Sequence, residues 1–575
     1  MFAPSWWMRS SARWYASAIA AVILGSGDGS TLGQAATYEP ATFCTSESPA
    51  ERRAVKVSNG AELQDALDRA IEGDVILLAA GATFQPSTPD GSFVLRRRPL
   101  PPGSWVTVRS ADKAFDTNGA VPPAPRADKA DAAAMSKIRA AGSAPAVRTE
   151  AGARGYRLVG LDIGVDAGVL QLSNLVELGS GKEATVDAEP SDIVIDRCYL
   201  HGNDRGNIRR GVAMNGARLA VIDSYLENFH DSNGDSQAIA GWNGPGPFKI
   251  VGNVLEAASE NVMFGGADPA IPDLVPADIE IRRNLMTKRQ AWRSAGVPVK
   301  NAFELKNARR VLVDGNVFEH VWPSGQDGTA IVLKSVNQDG RCAWCVTEYV
   351  TFTNNIVRDV ANGVMINAQE VGVHGARQPL PLNHVRLQNV LFQRVGNKLL
   401  RVMGGGSDVE ITHITSLGNP GGILDARDAS DLNPRLVFQD NIVERKLYGI
   451  GTGADEGAAT LVRNFAPFNY GHNVLVNTSR GSEQAISDEA LKARYPGTTM
   501  IAGGWAALGF QDGGYQLGPA NRYGVGDNRP GVDAQALKHA QETPGGAGCG
   551  ASSKSSPPQR RQDAAAPAPG AAPPD

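Results

Sequence analysis

Lys306 and Lys334 are the residues of this chain whose types and spacing could do chemistry. Each ends a short alternating segment, Phe303-Glu304-Leu305-Lys306 and Ile331-Val332-Leu333-Lys334. Side chains alternate along a strand, so if the two segments stack, both lysines share one outward face with Glu304 beside them. Neighbouring strands lie about 4.8 Å apart, which makes the lysines close neighbours of like charge. A lysine beside another cation holds its proton less tightly and can act as a general base near neutral pH. The second cation can neutralise a carboxylate and so acidify the adjacent C–H bond. β-Elimination of a uronate-containing chain needs those two functions, plus a proton for the departing oxygen. The alternative is ordinary: two solvated lysines on an exposed sheet, with Glu304 as an ion-pair mate.

The register that unites them extends further. Gly211-Val212-Ala213-Met214-Asn215 aligns with Gln237-Ala238-Ile239-Ala240-Gly241, then with Asn261-Val262-Met263-Phe264-Gly265 and Ala302-Phe303-Glu304-Leu305-Lys306. Ala330-Ile331-Val332-Leu333-Lys334 and Gly363-Val364-Met365-Ile366-Asn367 follow. In this alignment the second and fourth residues of every set are apolar and point inward. The last outward column reads Asn215, Gly241, Gly265, Lys306, Lys334, Asn367, and its glycines leave room for a ligand beside the lysines. Gln237 and Asn261 fall across the same face.

These segments belong to a longer repeat. Phe248-Lys249-Ile250-Val251-Gly252-Asn253-Val254-Leu255 returns as Ile279-Glu280-Ile281-Arg282-Arg283-Asn284-Leu285-Met286 and as Val311-Leu312-Val313-Asp314-Gly315-Asn316-Val317-Phe318. It recurs from Ile193, Leu219, Val350 and Leu436, with weaker copies from Val385 and Val409. Each copy is an alternating strand, a polar corner and a second apolar pair. One unit cannot bury its own face, so copies must stack. The corner carries Asn253, Asn284, Asn316, Asn355 and Asn441, with Cys198 and Ser224 in earlier copies. A stacked asparagine column, each amide bonding to the next coil, is the mark of a parallel β-helix. The expected fold is all-β: a right-handed parallel β-helix with an N-terminal helical cap, its hand taken from the crossover rule.

The opening Val55 to Leu78, in which an amphipathic stretch from Ala61 to Ile71 precedes a Gly73-Asp74 strand, resembles the N-terminal cap of pectate-lyase-like proteins. That resemblance spans about residues 53–535, and the chain is also similar to exported bacterial β-helix repeat proteins. More locally, Phe303-Glu304-Leu305-Lys306-Asn307, then Arg310-Val311 and the Asn316 corner, resembles the catalytic coil of the alginate lyase and chondroitinase B family. The resemblance implies Lys306 as base, Lys334 in place of that family's arginine, and Glu304 as an acidic calcium ligand. The chain departs from the family pattern in having lysine for arginine and one clear carboxylate of the calcium set.

Other residues fit a sugar-binding groove. Trp242 could stack on a sugar face, Arg209 or Arg210 could bind a carboxylate, and Gln237, Asn261 and Asn367 could bond hydroxyls. Trp292 and Arg293 could wall the groove. Asp231 and Asp235 could instead be the carboxylate pair of a glycoside hydrolase. A third reading is a non-catalytic carbohydrate-binding or surface scaffold.

The composition frames these readings. The chain has 575 residues, 65 of them glycine, and a net charge of −4 with both signs dispersed, which excludes a nucleic-acid-binding patch. Residues 1–35 read as a signal peptide, with Arg9 and Arg13 before an apolar run too short to span a membrane comfortably. The expected location is therefore secreted, periplasmic or at the cell surface, with no membrane contact after cleavage. The expected partner is an acidic polysaccharide, and the expected state a monomer. Residues 36–110 read as lead-in and cap, 111–150 as an irregular insertion, 151–480 as the β-helix and 481–542 as a C-terminal cap. Within that last cap a short helix is expected around Asp488 to Arg494. Residues 543–575, rich in Pro, Ala and Gly, read as a disordered tail. Of five cysteines, Cys342 and Cys345 read as a small loop disulfide and Cys198 as a buried thiol.

Overall fold

The computed structural model describes Pro40, Ala41, Phe43 and residues 53–542, apart from 88–90, 102, 113–125, 419–420, 427–430, 453–454, 480–484, 496, 498, 511–513, 519–520 and 524–528. The signal-peptide and tail assignments lie outside these residues.

The chain is a right-handed parallel β-helix. Among the described residues, its strands form three long sheets of 14, 14 and 12 strands, and every pairing within them is parallel. One coil shows the plan. Ala277–Arg282 lies in the first sheet, Leu285–Thr287 in the second and Phe303–Leu305 in the third, and Ala308–Asp314 returns to the first sheet one layer on. Inward Val, Ile, Leu and Phe from all three sheets merge into one continuous core.

The corner between the first two sheets is built as the repeat predicts. The residue before each corner asparagine has a positive φ, as at Gly252, Arg283, Gly315, Asn354 and Asp440. That turn frees a backbone N–H, which the next asparagine accepts. Asn253 N–H donates to Asn284 Oδ1 at 2.9 Å, Asn284 N–H to Asn316 Oδ1 at 2.9 Å, and Asn316 N–H to Asn355 Oδ1 at 2.8 Å. Each Nδ2 also donates back to a carbonyl, Asn316 to Ile281 O at 2.9 Å. Asn473, outside the recognised copies, extends the ladder from Asn441.

A helix over Gly60–Arg69 closes the first end, started by Asn59, whose side chain accepts from Glu62 N–H. Leu63, Leu67 and Ala70 pack on the core as expected, but Ile71 is exposed. Ala70 at the C-cap has already left the helix, so Ile71 no longer shares the helical face. The stretch 111–150 is only partly irregular. Ser136–Ala140 and Val147–Thr149 are strands of the second and third sheets, so regular coiling begins before residue 151. At the far end, Met500–Ala502 pairs with Val474–Val476, after a short helix over Asp488–Ala493. The chain then turns back along the outside. Gly531 N–H donates to Asp440 O, Val532 N–H to Thr415 Oγ1 and Asp533 N–H to Asn389 Oδ1, and Ala540 lies against Gly315.

Candidate functional site

The third sheet presents Ala240, Met263, Glu304, Val332, Met365 and Arg401 outward in one column. The expected register holds for five of its six sets. The exception is the coil of Gln237. Val212 pairs with Ile239, not Ala238, so Gln237 aligns with Arg210 and Glu260 instead of Gly211 and Asn261. Both registers bury apolar groups here, and the larger Ile239 takes the core.

Two assignments change. Asn261 turns away from the groove, and its Nδ2 donates to Leu255 O at 2.6 Å and Thr287 O at 2.8 Å, tying a loop. Gly241 backs on the core, where an added Cβ would meet Met214 O at 2.5 Å. Gly265 does lie under Lys306, where a Cβ would be 2.8 Å from that lysine's own Cβ.

Glu304 is the centre of the site, 1% exposed. Its Oε1 faces Lys334 Nζ at 3.3 Å and Lys306 Nζ at 3.9 Å. Its Oε2 is buried and makes no hydrogen bond. Lys334 also reaches Glu370 at 3.1 Å. Burial works against its charge, but Glu304 and Glu370 outweigh it and hold the ammonium above its ordinary value. A carboxylate is therefore interleaved between the two cations.

Further groups, from the first residues of the strands and the loops that lead into them, complete the cluster. Lys300 pairs with Asp235, and Arg209 Nε donates to Asp235 O at 2.8 Å. Burial opposes both partners' charges. The hydrogen bond between them, added to the charges of Glu260 and Glu304 near Lys300 and of Lys306 and Arg209 near Asp235, outweighs it, holding Lys300 above and Asp235 below their usual ranges. Glu260 is fully buried and takes Gln237 Nε2 on Oε2 at 2.8 Å. Burial, then repulsion from Glu304 and Asp235, pushes its carboxyl up to about 7. Glu260 Oε1 and Gln237 Oε1 lack hydrogen bonds, like Glu304 Oε2. Beneath them Lys288 is enclosed, its Nζ donating to Ala257 O, Ser259 O and Asn301 O at 2.9, 2.7 and 2.7 Å. Burial pulls this lysine down to about 7.

The remaining assigned residues lie on the walls. Trp242 is half-buried over Gly181, with the Arg210 guanidinium 5.2 Å from its ring. Asn367 pairs with Lys334 one coil on. Trp292 packs with Trp322 in the loop before Phe303, and Arg293 covers Trp322 at 4.6 Å. Asp231 and Asp235 have different partners: Asp231 Oδ1 accepts from Asn233 N–H at 2.8 Å, whereas Asp235 takes Lys300. Cys342 and Cys345 form the expected disulfide, and Cys198 is a buried thiol.

Calcium requires roughly six to eight oxygens. Among the described residues, the only three or more Asp, Glu, His or Cys side chains whose ligand atoms all come together, within 4.8 Å, are Asp268, Cys342 and Cys345. The two sulfurs are bonded to each other, and both oxygens of Asp268 accept backbone N–H groups from Gln338, Arg341 and Cys342. Asp235, Glu260 and Glu304 do not converge to that degree, and lysines stand against two of them. The donor set does not fit calcium, so Glu304 is not assigned as its ligand.

No protein-family model matches the chain, and no curated protein matches it. Solved structures similar to it include an alginate lyase from a Paenibacillus species, at 13% identity over 65% of this chain and 98% of that one, with a TM-score of 0.35. A mannuronic acid specific polysaccharide family 6 lyase from human gut microbiota shows 11% identity over 79% and 92%, with a TM-score of 0.43. A pectate lyase shows 12% identity over 77% and 84%, with a TM-score of 0.34.

Proposed function

We propose that the outward face of the third sheet binds and cleaves an acidic, uronate-containing polysaccharide by β-elimination. The observation that carries this reading is Glu304 set between Lys306 and Lys334, beside buried acceptors without donors. A uronate supplies a carboxylate for the cations of this face. Lys300 and Lys334 are held protonated and serve as cations. Lys306, with the loosest carboxylate contact of the three at 3.9 Å, is the base.

In the reaction, Lys334 neutralises the uronate carboxylate and acidifies the C5 proton. Lys306 Nζ, as the free amine, takes that proton. The C5–H electron pair forms the C4–C5 double bond, the C4–O bond breaks, and the departing oxygen takes a proton from the Glu260 carboxyl. One fragment carries the unsaturated uronate and the other a new hydroxyl. Activity at a sugar polymer fits the signal-peptide reading of residues 1–35, which places the protein outside the cytoplasm. Among the described residues no helix is long and apolar enough to cross a membrane.

A specific observation favours a second reading. Glu260 and Glu304 are carboxyls on successive coils in opposite settings, one pushed up to about 7 and the other flanked by ammonium groups. Such a pair can serve as acid and base in glycoside hydrolysis. The products decide. Incubation with pectate, alginate, chondroitin sulfate and glucuronan, followed by ultraviolet absorbance, reports unsaturated ends from elimination. New reducing ends without that absorbance assign hydrolysis. Retention on the polymer with neither product leaves a binding scaffold.

A further inference from the structure

We propose that Lys300 and Lys334 do the work of a divalent cation, so that the groove holds a uronate carboxylate without metal. The inference rests on the acidic-polysaccharide reading of the same site. It starts from charge. The groove brings together the carboxyls Asp235, Glu260, Glu304 and Glu370, a concentration of negative charge that would repel an anionic substrate. The lysines are threaded through this acidic set. Lys300 stands on Asp235, and Lys334 stands between Glu304 and Glu370. Lys300 and Lys334 flank Glu304 from opposite ends of its strand. They come from separate coils, and the Glu304 charge acts on both.

The alternative occupant is disfavoured by the same geometry. A divalent ion needs oxygens gathered round one point, and the carboxylates do not gather. Of the two Glu304 oxygens, Oε1 already faces Lys306 and Lys334. An ammonium group is a weaker and longer-range partner than a metal, but it needs no cage. Each of the two lysines retains partial exposure, 20% for Lys300 and 10% for Lys334, so an incoming carboxylate can reach them.

The test uses the full chain after treatment with a chelator. Calcium alone is titrated calorimetrically, and in a separate arm oligomers of galacturonate, mannuronate and glucuronate are titrated in the presence of the chelator. The expected result is no saturable calcium heat together with retained oligosaccharide binding. That binding should weaken about tenfold or more in Lys334→Met, as expected for loss of a charged hydrogen bond, and be largely kept in Lys334→Arg. Lys300→Met, with folding checked by circular dichroism, should weaken it similarly. A single saturable calcium site lost in Glu304→Gln overturns the proposal. So does oligosaccharide binding that appears only on adding calcium. If no uronate oligomer binds under any condition, the acidic-polysaccharide reading fails and the inference fails with it. A calcium site found without oligomer binding overturns the inference on its own.

Discussion

Arg310 reaches back one coil and clasps Asp278 through both Nε and Nη2, at 2.8 and 2.6 Å. Both residues have a positive φ, of 55° and 57°. They lie in the turn column between the third and first sheets. Arg218 clasps Asp192 in the same way, and Arg435 clasps Asp408. Between these pairs Tyr349 and His384 stack, with ring centroids 4.6 Å apart. The left-handed turns are thus tied in pairs by their own side chains. The pairs are partly exposed, so a double-mutant cycle on Asp278→Asn and Arg310→Met should give a coupling of about 1 kcal/mol, shrinking in high salt. Denaturant unfolding at low and high ionic strength measures it.

The asparagine ladder should matter more. Asn316 is fully buried, accepts from Asn284 and donates to Ile281 O and Asn355 Oδ1. Asn316→Ala leaves buried donors and acceptors on two coils without partners, a loss of about 3 kcal/mol. Asn316→Asp keeps the acceptor but loses the amide donors and buries a charge, so it should not rescue stability. Thermal unfolding of the two variants against the parent checks both statements.

Glu260 and Lys288 give stability an unusual pH dependence. Glu260 has its carboxyl raised from the ordinary 4.5 to about 7. Between those values the unfolded chain has lost this proton and the native chain keeps it, so stability falls as pH rises. Lys288 is lowered from 10.5 to about 7. Between 7 and 10.5 the unfolded chain holds that proton and the native chain does not, so stability rises with pH. The two contributions meet in a minimum near neutrality. Stability of the parent minus that of Glu260→Gln should fall from pH 4.5 to 7, and the parent minus Lys288→Met should rise from 7 upward. Flat difference curves in denaturant titrations would remove both assignments.

Much of this architecture is legible in the sequence because its signals are periodic. The corner asparagines and the alternating strands repeat often enough to set the solenoid and most of its register. The Gln237 coil is different, because Ala238-Ile239-Ala240-Gly241 satisfies a buried face in either of two registers. Only packing of Ile239 decides between them, and that decision brings Gln237 to Glu260. Lys300 escapes notice for a related reason. It sits in a loop, where no period announces which way a side chain faces. Lys306, Lys334 and Glu304 stand near one another as the strand pattern predicts, but Glu304 lies between the cations, so the charge balance differs from that of two adjoining lysines.

Glu260→Gln separates the two chemical readings most cleanly. The amide keeps the shape and can still bond Gln237, but it has no proton to give at any working pH. In hydrolysis the acid must protonate the glycosidic oxygen, so activity should fall by about a thousandfold, within the range seen for loss of a general acid. In elimination Lys306 has just received a proton and can return it to the departing oxygen, so the loss should be about tenfold. The pH profile should then change as well. The parent should lose rate above about 7 as Glu260 ionises, whereas the variant should not show that limb. Lys306→Ala is the complement: it should abolish unsaturated products in a protein that still unfolds at the parental temperature. Steady-state rates on the cleaved polymer, with Lys306→Ala and Glu260→Gln compared across pH 5 to 9, carry both readings to a decision. A Lys306→Ala variant that still forms unsaturated ends would remove that lysine from the role of base.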